Sequence, residues 1–177
     1  MARRGPPKKL DEQGLWEYAL RVLGQRAHSS AEVKQKLARR AASIADVSAA
    51  MTKLREYGLT DDKKFSEAFA SSRLDNHGLG RFRVLRELQS KRVARTVAET
   101  AVEKAFSGTD ELNLVEQFLK RKYRNKDLFV FLREDKNLAS AYRKLRVAGF
   151  SSSASLSVLK RYTSRAQEWT EPDEEEE

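Results

Sequence analysis

Apolar positions recur along this chain with a helical period. Leu15, Trp16, Ala19, Leu20, Val22 and Leu23 form a stripe over residues 15–26. Ser29-Ser30-Ala31-Glu32 has the form of a capping box, in which a serine oxygen accepts from an amide of the first turn and Glu32 reaches back. The helix it opens turns Val33 and Leu37 inward and Lys34, Lys36, Arg39 and Arg40 largely outward. Ser43-Ile44-Ala45-Asp46 caps a third helix that buries Val47, Met51 and Leu54. Gly58 ends that helix, with Leu59 as the hydrophobic contact that follows such a glycine. Thr60-Asp61-Asp62 starts a fourth, with Phe65, Ala68 and Phe69 on one face and the acids as caps. Asn76 to Gly80 reads as a loop. Helices over 81–91, 97–106, 110–124, 137–148 and 153–165 complete the pattern, broken at Ser107-Gly108-Thr109 and at Gly149.

Segments 31–58, 81–106 and 138–162 share one plan. Each has a helix ending near a central leucine (Leu37, Leu88, Leu145) and a basic exit (Lys36, Arg39 and Arg40; Lys91 and Arg92; Lys144 and Arg146). An apolar residue follows (Ile44, Val93, Phe150), then a second helix. A preceding helix completes each unit, and the first copy has about two extra residues at its turn. The pattern predicts an all-α protein of three tandem three-helix repeats, over 10–60, 61–108 and 109–167, stacked into an elongated, curved solenoid. The alternative is one helical domain with coincidental spacing. Residues 1–9 read as a disordered basic arm and 168–177 as a disordered acidic tail.

Composition narrows the chemistry. The 177 residues include no cysteine, which excludes disulfides, thiolate-ligated metals and thiol catalysis. Two histidines, His28 and His77, have no companions that would make them catalytic. Gly78-Leu79-Gly80 follows no strand and leads to no Gly-Lys-Ser/Thr, so it is not a phosphate loop. It reads instead as a turn that takes a positive φ and lets another backbone approach. No paired-carboxylate site, cofactor motif or metal cluster is recognisable. No apolar run is long enough to span a membrane, and the opening Met1–Pro7 is not read as a secretory leader. The chain therefore reads as a binding protein, not an enzyme, with no cofactor and no membrane partner.

Charge supplies the direction. The formal net charge is +9, but the seven acids of residues 168–177 conceal a charge of +16 over residues 1–167. Such a field favours polyanions. Arg81, Arg83 and Arg86 lie at a helix start, where cations oppose the helix dipole. With free helix amides they form a seat for a phosphate or carboxylate; an ordinary solvated face is the other reading. Helical arithmetic sets Arg83 and Arg86 opposite Phe82, Leu85 and Leu88, leaving those two arginines exposed. Lys120, Arg121, Lys122 and Arg124, with Lys126, form the densest basic run. It reads either as phosphate contacts or in part as a solvating surface, with Tyr123 as core rather than a base-stacking platform. Arg143, Lys144 and Arg146 add a second basic helix. Polyanion affinity depends on summed charge, so these belong to the candidate contacts.

Residues 54–73, LREYGLTDDKKFSEAFASSR, resemble the hallmark segment of the RecX family, through Leu54, Gly58, Leu59, Asp61, Asp62, Phe65, Ala68, Phe69 and Arg73. Tyr18-Ala19-Leu20, Ser30-Ala31-Glu32 and Leu37 resemble the family's first unit. Gly78-Leu79-Gly80-Arg81, Arg86-Glu87-Leu88 and Lys91 resemble its second; Tyr123 and Gly149-Phe150-Ser151 resemble its third. The likeness covers about 15–162. Phe82 stands where members often carry proline, Arg92 replaces a usual glycine, Ala94 replaces a capping residue, and 125–136 is a diverged connector. The resemblance implies a regulator of the RecA recombinase in the bacterial cytoplasm, in the setting of recombination, DNA repair and the SOS response. It implies a monomer lying along the RecA–DNA filament and limiting ATP hydrolysis, strand exchange or filament growth. The contacts would run through Arg73, Arg81, Arg83, Arg86, Lys91 and Arg92 and the basic residues of the third repeat, to recombinase or to single- or double-stranded DNA. Two other readings stand beside it: a sequence-neutral nucleic-acid binder working without a recombinase, and a helical scaffold for acidic proteins.

The acidic tail yields a first prediction. Tethered to the +16 body, it visits basic surface at high effective concentration and competes with DNA phosphates. Deleting 168–177 should tighten binding to free DNA at low salt, with the gain fading above ~0.3 M as the screening length contracts to a few ångströms. Equal affinity before and after deletion, measured by fluorescence anisotropy at low salt, would reduce the segment to a solubility tail.

Overall fold

The computed structural model describes residues 9–163. Ten helices follow one another among them: α1 Glu12–Gln25, α2 Ser30–Arg40, α3 Ile44–Glu56, α4 Asp62–His77, α5 Arg81–Ser90, α6 Arg95–Phe106, α7 Glu111–Lys122, α8 Leu128–Phe131, α9 Asp135–Ala148 and α10 Ser152–Lys160. No strand occurs among the described residues; a lone parallel bridge joins Leu10 to Ala41. The all-α repeat read from the sequence is present as three successive three-helix sets, α1–α3, α4–α6 and α7 with α9 and α10. The diverged connector adds the one-turn α8. The expectations of disorder fall outside the described residues, Lys9 excepted.

Two compact units emerge, the described part of Met1–Phe69 with Leu88–Ala101, and Ala70–Glu87 with the described part of Val102–Glu177. The first is built on Leu15, Ala19, Val33, Leu37, Val47, Ala50, Met51 and Leu54. Its helix ends follow the sequence closely. Ser29 accepts from the Glu32 amide while Glu32 accepts from the Ser29 amide, and Ser43 and Asp46 repeat the arrangement. At the end of α3 the Leu59 amide donates to Leu54 and the Gly58 amide to Arg55, both at 2.9 Å, with Gly58 at φ +66°. That is the six-to-one and five-to-two pairing of a glycine-terminated helix. Asp61 caps α4 by accepting from the Lys63 and Lys64 amides. Asp62 instead accepts from the amide of Ser30, at 2.7 Å.

Some side chains depart from the expected faces. Leu20 is 41 % exposed and Ile44 86 %. The longer first turn puts Ile44 at the solvent-facing start of α3, and Ala41 is buried in its place. On α4, Phe65, Ser66 and Ala70 are buried while Ala68 faces solvent. α4 also runs to His77, into the expected loop, and α10 stops at Lys160 rather than Arg165. Phe82 is 47 % exposed; the inward face of α5 is Val84 and Leu88.

The second unit packs Val115, Leu119, Tyr123, Leu128, Leu132, Leu138, Leu145, Phe150 and Leu159. Tyr123 is core, as expected. Within this unit the end of α9 sits on the start of α5. The Gly80 amide donates to the Ala148 carbonyl at 2.9 Å, and the Phe82 amide to the Gly149 carbonyl at 3.1 Å. Carbonyls at the negative end of one helix thus satisfy amides at the positive end of another. The backbones touch because both positions lack a side chain: a Cβ on Gly80 would overlap the Gly149 carbonyl, and one on Gly149 would overlap Arg83. Gly149 also takes φ +91°.

A related seat forms in the first unit, where Ser29 Oγ donates to the Lys91 carbonyl at 2.7 Å. There Arg92, at φ +59°, takes the left-handed conformation that Gly149 takes after α9, the only non-glycine with positive φ among the described residues. Gly80→Ala or Gly149→Ala should each cost about 3 kcal/mol or more, because a methyl group meets backbone that cannot yield. Arg92→Gly should stabilise by about 0.5–1 kcal/mol, the relief of left-handed strain less the glycine's added freedom when unfolded. Urea midpoints of the three variants check both expectations.

Candidate nucleic-acid interface

The candidate cations divide by what holds them. In the second unit, Glu87 receives Arg73 Nε at 2.7 Å and Arg83 Nε at 2.8 Å, one on each carboxylate oxygen. Burial works to raise the Glu87 pKa, but the bonds from Arg83 and Arg73 outweigh it and hold the carboxyl below its ordinary value. Lys120 pairs with Glu116 at 2.8 Å, and Arg161 reaches the other oxygen at 3.1 Å. Arg121 donates to the His77 carbonyl and lies over the Phe118 ring. Lys144 donates to the Tyr123 hydroxyl at 3.2 Å and sits over its ring. Arg146 donates to the Phe150 carbonyl at 2.7 Å, closing the turn after α9. In the first unit, Lys91 pairs with Glu32 at 3.3 Å.

The rest are open. Arg81 and Arg86 on α5, Lys122 and Arg124 at the end of α7, and Arg143 on α9 are exposed, with no ion pair or side-chain hydrogen bond among the described residues. Arg92 is the same in the first unit. Guanidinium and ammonium groups left to water are free to exchange their counterions for phosphates.

One expectation is corrected here. The start of α5 does not present the open row of amides expected for an anion: the Gly80 and Phe82 amides are taken by the end of α9, and those of Arg83 and Val84 return to Gly80. Of the three arginines there, Arg83 is turned to Glu87, while Arg81 and Arg86 face solvent. The pairing of Arg83 with Glu87 was open to the sequence as a four-residue helical spacing. That of Arg73, fourteen residues before Glu87, was not. Glu111 was missed for a similar reason: it accepts from both the amide and the hydroxyl of Ser151, forty residues on, at 2.7 and 2.8 Å. Among the described residues no cluster of His, Asp and Glu could hold a metal ion, and no helix is long and apolar enough to cross a membrane.

Glu87 carries a prediction with a definite sign. A carboxyl with a depressed pKa contributes stability above its ordinary value and loses that contribution as pH falls through the native one. Glu87→Gln should therefore cost about 1–2 kcal/mol at neutral pH, where it leaves two guanidinium groups half-paired at partly exposed sites. The gap between the two proteins should close as pH falls below 4.5, the ordinary glutamate value. Urea unfolding of both proteins along a pH series measures it.

Comparison with known proteins agrees with the helix plan. The family model for the second three-helix domain of RecX matches residues 61–102, and that for its first three-helix domain matches residues 16–54. A regulatory protein RecX of Chlorobium phaeobacteroides is 32 % identical over 127 residues, 69 % of this chain and 84 % of the relative. One from Vibrio parahaemolyticus is 30 % identical over 138 residues, covering 76 % of this chain and 83 % of the relative. A solved structure, RecX from Lactobacillus salivarius, superposes with a TM-score of 0.63 at 18 % identity, covering 86 % of this chain and 96 % of that one. That likeness concerns the fold. The sequence relatives establish descent: the chain belongs to the RecX family of regulatory proteins.

Proposed function

We propose that this protein binds the DNA filament of a RecA-type recombinase and restrains its activity. It acts by occupying the filament rather than by catalysis. A monomer contacts DNA phosphates and recombinase subunits and limits ATP hydrolysis, strand exchange or filament growth. Family membership supports the recombinase as partner. The observation that carries the DNA half is the set of exposed cations in the second unit that have no ion pair or side-chain hydrogen bond among the described residues, Arg81, Arg86, Lys122, Arg124 and Arg143. In the same unit, Arg73, Arg83, Arg121, Lys144 and Arg146 are bound to protein acceptors. These bound cations shape the fold; the open ones remain for a polyanion.

The same cations favour a second reading, a sequence-neutral DNA binder that needs no recombinase. Titration of preformed filaments separates the two. Filament regulation predicts loss of ATPase at protein concentrations too low to coat the free DNA, persisting when free DNA is added in excess. Simple DNA binding predicts inhibition that disappears with that excess.

Arg81→Ala with Arg86→Ala should weaken DNA or filament binding and leave the helical circular dichroism unchanged. If both meet phosphates, the slope of log affinity against log salt should flatten by roughly 1.4–1.8, some 0.7–0.9 per lost contact. An affinity loss without a slope change assigns them to recombinase carboxylates. Arg83→Ala, by contrast, should lower stability through Glu87 more than it changes the salt slope.

A further inference from the structure

The second unit contains a groove of about 400 Å³ beside α7, α8 and the end of α10. Its apolar lining is Leu128, Phe129 and Tyr162. The Phe129 and Tyr162 rings lie 5.0 Å apart, yet Phe129 remains 56 % exposed, at the start of a one-turn helix. A large aromatic left half in water inside a concavity is a surface awaiting cover. The rim is Lys120, Lys126 and Arg161 against the single acid Glu116, which leaves it net positive. Lys120 and Arg161 share that one carboxylate while keeping 63 % and 50 % of their side chains exposed.

The chain supplies a matching occupant. Tyr162 lines the groove, and residues 164–177 follow it two positions on in the chain. That segment carries Trp169 and seven acids, Glu168, Glu171, Asp173 and Glu174 to Glu177, against one base, Arg165. Trp169 lies six residues beyond Thr163, a reach of up to about 20 Å when extended. An aromatic flanked by acids is the complement of an aromatic floor flanked by cations, and offset or edge-on ring contact suits such a site.

We propose that residues 164–177 dock in this groove of their own chain. Trp169 packs on Phe129 and Tyr162, and the acids meet Lys120, Lys126 and Arg161. A short tether gives such a contact an effective concentration in the millimolar range, so weak interactions suffice to populate it. The proposal concerns the chain alone and holds whether or not it binds a recombinase filament.

Tryptophan fluorescence tests it, since the chain has two tryptophans, Trp16 and Trp169. In the full chain with Trp16→Phe, Trp169 should emit to the blue of the free peptide 164–177. Its acrylamide quenching constant should be at least about twofold lower, the mark of a tethered segment bound for more than half the time. Phe129→Ala or Lys126→Glu in that background should return both readouts toward the peptide's, with the helical spectrum retained. If Trp16→Phe fails to fold, the spectrum of Trp169→Phe subtracted from that of the wild type gives the Trp169 signal. Emission and quenching equal to the free peptide would overturn the proposal. So would protection that survives Phe129→Ala, which places the segment elsewhere, or protection that rises with protein concentration, which makes the occupant a second copy.

Discussion

The second unit depends on the contact between the end of α9 and the start of α5. A helix start leaves amides unsatisfied and a helix end leaves carbonyls unsatisfied, and burying either without a partner is costly. Here each solves the other's problem, through Gly80 with Ala148 and Phe82 with Gly149. Leu145, Ala148 and Phe150 are then held against Val115, Leu119 and Leu159 in one core. In the first unit the corresponding carbonyl, that of Lys91, is met by a serine hydroxyl instead of an amide, and the capping box of α2 is what aims that hydroxyl. Local caps and long-range packing are the same hydrogen bonds seen from two ends.

This satisfaction of helix ends also sorts the basic residues. Arg146 is drawn to the Phe150 carbonyl, Arg121 to that of His77 at the end of α4, and Arg73 and Arg83 to the one acid between them. Some cations near helix ends find carbonyls there, as Arg121 and Arg146 do, while Arg81, Lys122 and Arg124 do not. Those on outward faces, such as Arg86 and Arg143, find water. Net charge alone cannot make this distinction, because a guanidinium held by a backbone carbonyl still counts as +1 while its position is fixed by the fold.

The helix plan was legible because it rests on local rules. Serine with an acid three residues on, glycine after a leucine-bearing turn, and aspartate ahead of a lysine pair each act within one turn, and each formed as spacing implied. The close approach at Gly80 was legible too, because two glycines around one leucine mark a backbone with special needs. What escaped was whatever depends on a partner distant in sequence. Ala68 and Ala70 are chemically identical, and the neighbouring helices alone decide that Ala70 is buried. Phe82 has the chemistry of a core residue but stands at the very start of α5, where the backbone of Gly149 already covers the inward side. Of the amides expected to await an anion, those of Gly80 and Phe82 had been claimed by carbonyls almost seventy residues away.

The meeting of Gly80 with Gly149 has a consequence for how such a chain can change over generations. A methyl group at either position meets main chain, that of Gly149 and Phe150 at one and that of Arg83, with its Cβ, at the other, so repacking a flexible side chain relieves neither. A larger residue at one is not rescued by a smaller one at the other, because none is smaller. The pair thus admits no compensating drift: the two codons are bound to a common fate, and a lineage that gives up either glycine must re-route a helix terminus to survive the loss.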